Sequence, residues 1–277
     1  MTDVPAGVVL APTATRIPAA GRGAVVVSGS HGGAYAGYLI ARAGARASVL
    51  SDAGIGLDEA GVGSLALCQD LGMAAVAVAH DSARIGDAAD LLARGRLSRV
   101  NQAAAQAGCA PGMTCREAVA HLVRAPVPAR QPGPYAESRF DRGCNAHGLR
   151  IVCVDSISLV EPADAGQVVV SGSHGALVAG QHALAIAVDA VGAFYNDAGI
   201  GADDAGVSRL PVLDARGIAA ATVAAASARI GDSRSTLDDG VVSRANERAR
   251  ALGIEPGMPA SAAVDLIHGA STPGAHT

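Results

Sequence analysis

An apolar run ending in a Ser-Gly-Ser-His-Gly turn occurs twice in this chain, as VVVSGSHG at residues 25–32 and again at 168–175, an offset of 143. Two further blocks recur downstream, DAGIG at 52–56 and 197–201 and SARIGD at 82–87 and 227–232, each at an offset of 145. Two residues are therefore inserted in the second copy, in the helix expected after its SGSHG turn. The tails also agree, with Gly95, Ser98, Asn101, Gly108, Gly112 and Met113 matching Gly240, Ser243, Asn246, Gly253, Gly257 and Met258. A period this long lies far outside the roughly 20–50 residues of solenoid repeats, so it reads as duplication of a domain or half-domain. The copies are either two lobes or the halves of one pseudo-twofold unit.

Each copy reads alike. A first strand (VVLAPTATRI, or IVCVDSISLV) precedes the valine-rich strand, whose continuous β-branched run suits burial on both faces. A helix follows at about 33–43, then ASVLSDAGIG as strand and loop, LDEAGVGSLALCQDLG as loop and helix, MAAVAVAHDS as strand, and further helix to about residue 122. Strands alternating with helices at these lengths predict an α/β fold, duplicated βαβ-type units of about four strands with mainly parallel sheet. The expected division is a first α/β repeat over 1–123, a Pro/Arg-rich linker carrying four prolines over 124–150, a second repeat over 151–269 and a flexible tail over 270–277.

Composition removes several function classes. Half of the 277 residues are hydrophobic, 17% are charged and the net charge is -4, which argues against disorder and against a basic nucleic-acid surface. Aromatics make up only 2%, so base-stacking platforms are scarce. All 21 basic residues are Arg and none is Lys, which excludes Schiff-base lysines, Ser-Lys dyads and a Walker-type lysine. The five cysteines form no C-x-x-C pair, and no apolar stretch reaches the length of a membrane span. The expectation is a cytoplasmic homo-oligomer that needs no cofactor, touches neither nucleic acid nor membrane, and has a small anionic substrate as its partner.

All three recurring motifs fall at predicted strand ends, the edge at which open α/β sheets bind ligands, and should meet there. In SGSHG, Gly29 and Gly32 permit close backbone approach, and Ser28 and Ser30 offer hydroxyls for an anion; alternatively Ser30 merely caps a helix. His31 and its twin His174 favour function, since a turn has no evident need of imidazole. Ser171 and Ser173 are the second copy's hydroxyls. Asp52 and Asp197 of DAGIG can cap a helix, orient a histidine or bind a cation. The trailing Asp58, Glu59, Asp203 and Asp204 read as first-turn acids of the next helix. In SARIGD, Arg84 and Arg229 can grip a carboxylate or phosphate, or can pair with the neighbouring Asp87 and Asp232. Metal binding by His31, Asp52 and Asp87 is a minor alternative.

The copies differ in two places. His80 and Asp81 precede the first SARIGD where the second has Ala225 and Ala226, and Tyr35 and Tyr38 correspond to Val178 and Gln181. The leading expectation is a cofactor-independent hydrolase of a small anionic or cyclic amide-like metabolite. Ser30 or Ser28, with Ser173 as counterpart, is its nucleophile or oxyanion donor, His31 or His80 its base, Asp52 its orienting acid and Arg84 its clamp. The alternatives are a phosphosugar isomerase or sugar-phosphate binder, by loose analogy of tandem α/β units with Ser/Gly-rich loops, and a metabolite-binding module without catalysis.

Overall fold

The computed structural model describes residues 3–268, so the tail expected at 270–277 lies outside the described residues. Two multi-strand sheets with interspersed helices make up a mixed α/β fold. The first sheet runs in chain order through β1 (Val8–Ala11), β2 (Val25–His31), β3 (Ala47–Ser51), β4 (Ala74–Val78) and β5 (Leu97–Val100). Neighbours from β1 to β4 are parallel, and β5 adds antiparallel to β4. Helices α1 (Ala34–Arg42) and α2 (Ser64–Asp70) cover one face over Val26, Leu50 and Ala75. On the other face Val25, Val27, Val49 and Val76 pack beneath α3 (Ala88–Arg94), α4 (Gln102–Gln106) and α5 (Cys115–Leu122). The valine run of β2 is thus buried on both faces, as its unbroken pattern requires.

The second sheet has the order β11-β10-β9-β8-β7-β6, from β6 (Arg139–Cys144), β7 (Arg150–Val154), β8 (Val168–His174), β9 (Gly192–Asn196), β10 (Ala219–Val223) and β11 (Val242–Ala245). Its helices are α6 (Arg209–Ala215), α7 (Ser233–Asp238), α8 (Glu247–Ala251) and α9 (Ala260–Leu266). The sheets therefore have five and six strands where about four were expected. The additions are four-residue strands carrying a charge, LSRV and VSRA, in the stretch read as helix, and a charged edge strand, RFDRGC, inside the stretch read as linker. None has the apolar run that marks a buried strand, and charge suits a sheet edge.

A second correction concerns the helix expected after β8. Residues 178–184 form only single 3-10 turns, with Ala179 at φ 48°. In the first copy α1 lies so close to α2 that a Cβ on Gly37 would sit 2.6 Å from the Ser64 side chain. The residue matching Ser64 is Arg209, whose bulk leaves no seat for such a helix.

The sheets meet along a seam built from the motifs. Ala53, Ala198, Ile85 and Ile230 form a small apolar cluster there. Leu57 N–H donates to Ala225 O at 2.9 Å and Ala202 N–H to His80 O at 2.8 Å, at matched positions of the two copies. Asp58 and Asp203 are not ordinary first-turn acids. They adopt positive φ and reach across the seam, Asp58 to Arg229 at 2.9 Å and Asp203 to Arg94 at 2.8 Å. Such exposed pairs contribute under about 1 kcal/mol each, so backbone and apolar contacts dominate.

Positive φ runs through Ala53, Gly54, Ile55 and Gly56 and again through Ala198, Gly199, Ile200 and Gly201. Each non-glycine residue in that region costs about 1 kcal/mol or more, strain that the seam contacts must hold. A Cβ on Gly54, at φ +76°, would lie 2.9 Å from Gly199 Cα. Gly54→Ala is therefore expected to lose about 2–3 kcal/mol in denaturant unfolding, from left-handed strain plus backbone overlap. Gly72→Ala, at φ +71° with open space around it, should lose only about 1 kcal/mol. Equal losses would show that the seam is not tightly packed.

Candidate functional site

The two SGSH segments face one another across a single cleft of about 450 Å³. The His31 and His174 rings lie edge to face with centroids 6.3 Å apart, and Ser30 and Ser173 line the same cleft. The strands deliver them by a bulge. Val27 pairs with Val49 and His31 with Ser51, so Ser28, Gly29 and Ser30 stand opposite Leu50 alone; β8 repeats this against β9. The surplus residues leave the ladder and are re-aimed, as bulges beside binding sites commonly do.

The SARIGD loop occupies the vacated ladder positions. Gly86 N–H donates to Gly29 O at 2.8 Å and Gly231 N–H to Gly172 O at 2.7 Å. A Cβ on Gly29 would sit 2.8 Å from the Gly86 carbonyl carbon, and one on Gly32 would sit 2.5 Å from Gly61 O. Gly29 and Gly32 thus serve close backbone approach. Ser28 and Ser171 are fully buried outside the cleft, where their Oγ atoms accept from the Ser30 and Ser173 N–H groups. Ser30 Oγ accepts from Ala14 N–H at 2.9 Å and donates to Thr13 Oγ1, while Ser173 Oγ accepts from Ile157 N–H at 2.9 Å. Neither cleft serine is hydrogen-bonded to a histidine among the described residues.

The imidazoles are locked in one tautomer. Gly33 N–H donates to His31 Nδ1 at 3.1 Å and Ala176 N–H to His174 Nδ1 at 3.2 Å, so in the neutral ring the proton resides on Nε2. Burial pushes His31 down to about 4. His174 is driven well below the usual histidine range by burial, with Arg209 and His31 adding to it. At neutral pH both rings are uncharged donors through Nε2–H. The expectation of His31 as general base is thereby reversed, because its acceptor nitrogen is already used by backbone.

Asp52 and His80 lie apart from the cleft, at the seam. Asp52 Oδ1 accepts from Gly54 N–H at 3.0 Å, His80 N–H at 2.9 Å and His80 Nδ1 at 3.0 Å. Burial works to raise its pKa, but the hydrogen bonds from His80, Ser98 and Gly54 prevail and hold it low. The hydrogen bond to Asp52 raises His80 in turn. Asp197 holds the matching turn through Gly199 and Ala225 N–H, without a histidine. Asp52 thus holds His80, one of the two expected bases, and neither lines the cleft with Ser30 and His31.

Arg84 also lies outside the cleft, where its Nη2 pairs with Asp87 and Asp90, both at 3.2 Å. Asp87 caps α3 and Asp232 caps α7. Arg229 and Asp232 do line the cleft, but Arg229 is engaged by Asp58, Asp232 and Asp239. Of the two readings of SARIGD, ion pairing describes both arginines.

Several cleft residues carry no recurring motif. Thr13 and Thr15 line one wall and the matching Ser156 and Ser158 the other. The pattern Thr-x-Thr against Ser-x-Ser was readable only by aligning the first strands of the copies. Arg16 lines the rim and makes no ion pair among the described residues; its counterpart is Leu159. Tyr135 and Glu137 arrive from the stretch read as linker. Tyr135 packs against Tyr35 and Tyr38, with centroids 5.4 and 5.6 Å away, which brings the arm over the mouth of the cleft. Glu137 is raised to about 7 by burial and by the Asp155 carboxylate. The fully buried Arg209 completes the lining from α6.

Comparison with known protein families, with characterised proteins and with solved structures finds no match to this chain. Among the described residues no helix is long and apolar enough to cross a membrane.

Proposed function

We propose that this cleft carries out proton transfer beside the carbonyl group of a small, anionic, polyhydroxylated metabolite of the sugar-phosphate class. The observation that carries the reading is the placement, in one cleft, of two imidazoles whose Nδ1 atoms accept from backbone and of the Glu137 carboxyl, which burial raises to about 7. A base is most effective with a pKa near the working pH, and neutral donors suit an oxygen that gains charge as the proton leaves.

In this scheme the Glu137 carboxylate takes a proton from the carbon next to the carbonyl. The C–H electron pair forms a carbon–carbon double bond, and the carbonyl pair moves onto oxygen, which accepts hydrogen bonds from His31 and His174 Nε2–H. The proton of the adjacent hydroxyl passes to that oxygen, so that this hydroxyl becomes the new carbonyl as the double-bond pair takes the proton back from Glu137 at the former carbonyl carbon. Thr13, Thr15, Ser156 and Ser158 supply hydroxyl partners for a polyhydroxylated chain, and the unpaired Arg16 favours an anion. The matched halves are read as a duplicated unit about a pseudo-twofold axis passing near Gly54 and Gly199, with one composite site between them.

A second reading, hydrolysis of an anionic or cyclic amide, is favoured by the same donor pair, which equally suits a tetrahedral oxyanion. Water activated by Glu137 would then replace the serine nucleophile. Incubation with sugar phosphates in deuterated water separates the two. Solvent deuterium at carbon supports proton transfer; its absence, with cleavage of cyclic amides instead, supports hydrolysis. Thermal stabilisation by ligands with neither reaction leaves a binding module and overturns both.

A further inference from the structure

Arg209 is 1% exposed, yet its charge has no carboxylate partner among the described residues. Arg84, Arg94, Arg139, Arg150 and Arg229 all pair with aspartates. Its Nε donates to Ala176 O at 2.8 Å, and its Nη1 donates to Leu184 O at 3.2 Å and to Ala185 O. The Tyr195 ring lies 5.0 Å from the guanidinium carbon. These contacts tie down the irregular segment that replaces a second-copy helix, a task requiring donors but no charge. The guanidinium also donates a hydrogen bond to the Tyr195 hydroxyl, and among the described residues no backbone carbonyl accepts from Nη2. The group lines the cleft close enough to His174 to depress its pKa. A buried charge that protein groups do not neutralise is costly unless something else does so.

We propose that Arg209 is the anion receptor of the cleft, binding a compact oxyanion, a carboxylate or phosphate group, beside His174. The serine at the matching first-copy position makes this subsite one-sided. The ligand then enters with its anionic group toward the second sheet and its remainder toward Tyr35 and Glu137. The planar fork of arginine suits either anion bidentately. The proposal deepens the functional reading by orienting its ligand, and is tested by binding without turnover.

Calorimetric titration with methyl phosphate and with acetate at fixed ionic strength provides the test. Saturable binding is expected, weakened at least about tenfold, or 1.4 kcal/mol, by Arg209→Gln and unchanged by Arg142→Gln, whose ion pair with Asp238 lies outside the cleft. The tighter of the two ligands names the anion. No binding of either, or equal binding by Arg209→Gln, overturns the proposal. If Arg209→Gln fails to fold, NMR titration of His174, assigned by its loss in His174→Asn, decides on the wild-type protein. Methyl phosphate should raise the His174 pKa, and an unmoved value overturns the subsite. Binding without deuterium exchange into sugar phosphates defeats the catalytic reading alone, whereas exchange without anion binding defeats this one alone.

Discussion

Glu137→Gln is expected to lower turnover by about 10²–10⁴-fold, the usual contribution of a positioned acid–base group, with substrate binding changed only a few-fold. The substitution keeps shape and removes the proton carrier. Glu137 is part-buried in an arm without regular structure, so its loss leaves the sheets intact. Burial raises its pKa to about 7, and Asp155 adds to this from a fixed position, accepting from Ser138 N–H at 2.7 Å and from Ser233 Oγ at 2.9 Å. A base must be deprotonated, so the rate at low substrate should rise with pH through about 7. Asp155→Asn should move that limb to lower pH. A Glu137→Gln enzyme that turns over at the wild-type rate, or a profile unmoved by Asp155→Asn, would remove Glu137 from the chemistry.

Much of the scaffold was legible because its signals are local. The β-branched run of β2 and the alternation of strand and helix identify a parallel core from pattern alone. The repeated SGSH turns both line the cleft. What the sequence could not separate was a motif repeated for chemistry from one repeated for packing. DAGIG brings Gly54 and Gly199 together at the seam, and SARIGD ties Gly86 and Gly231 to the bulged strands.

The tails recur for a similar reason. Asn101 Oδ1 accepts from Ala75 and Ala104 N–H while its Nδ2 donates to Met73 O, and Asn246 does the same with Ala220, Ala249 and Ile218. The two histidine donors proposed for the cleft lie in the repeat, whereas the proposed base and the cleft arginines break it. Arg16, Tyr35 and Arg209 stand opposite Leu159, Val178 and Ser64, and Glu137 has no place in either copy. A search for recurrence finds the walls and passes over the differences, which only proximity in three dimensions collects.

The paired imidazoles make a further large effect measurable as acid sensitivity. In the unfolded chain His31 and His174 take up protons near pH 6.5, whereas in the fold His31 waits until about 4 and His174 until well below its ordinary value. Between those limits the unfolded state binds more protons, so their contribution to stability is full above about pH 6.5 and is lost as pH falls. The drop from 6.5 to about 4 at His31 corresponds to about 3 kcal/mol at 1.36 kcal/mol per unit, and His174 adds to it. The physical cause is burial of both rings, with Arg209 and His31 adding to it at His174. Glu137 acts oppositely, since its raised pKa makes the fold bind more protons between about 4.5 and 7. The measurement must therefore be differential. Asn at positions 31 and 174 keeps an acceptor for the backbone N–H and cannot be protonated. Stability of the wild type, relative to the double His31→Asn, His174→Asn variant, is expected to fall by about 3 kcal/mol or more between pH 7 and 4 in denaturant titrations. Parallel curves for the two proteins over that range would mean that the rings are already solvated, and would withdraw the neutral donor pair on which the proposed chemistry rests.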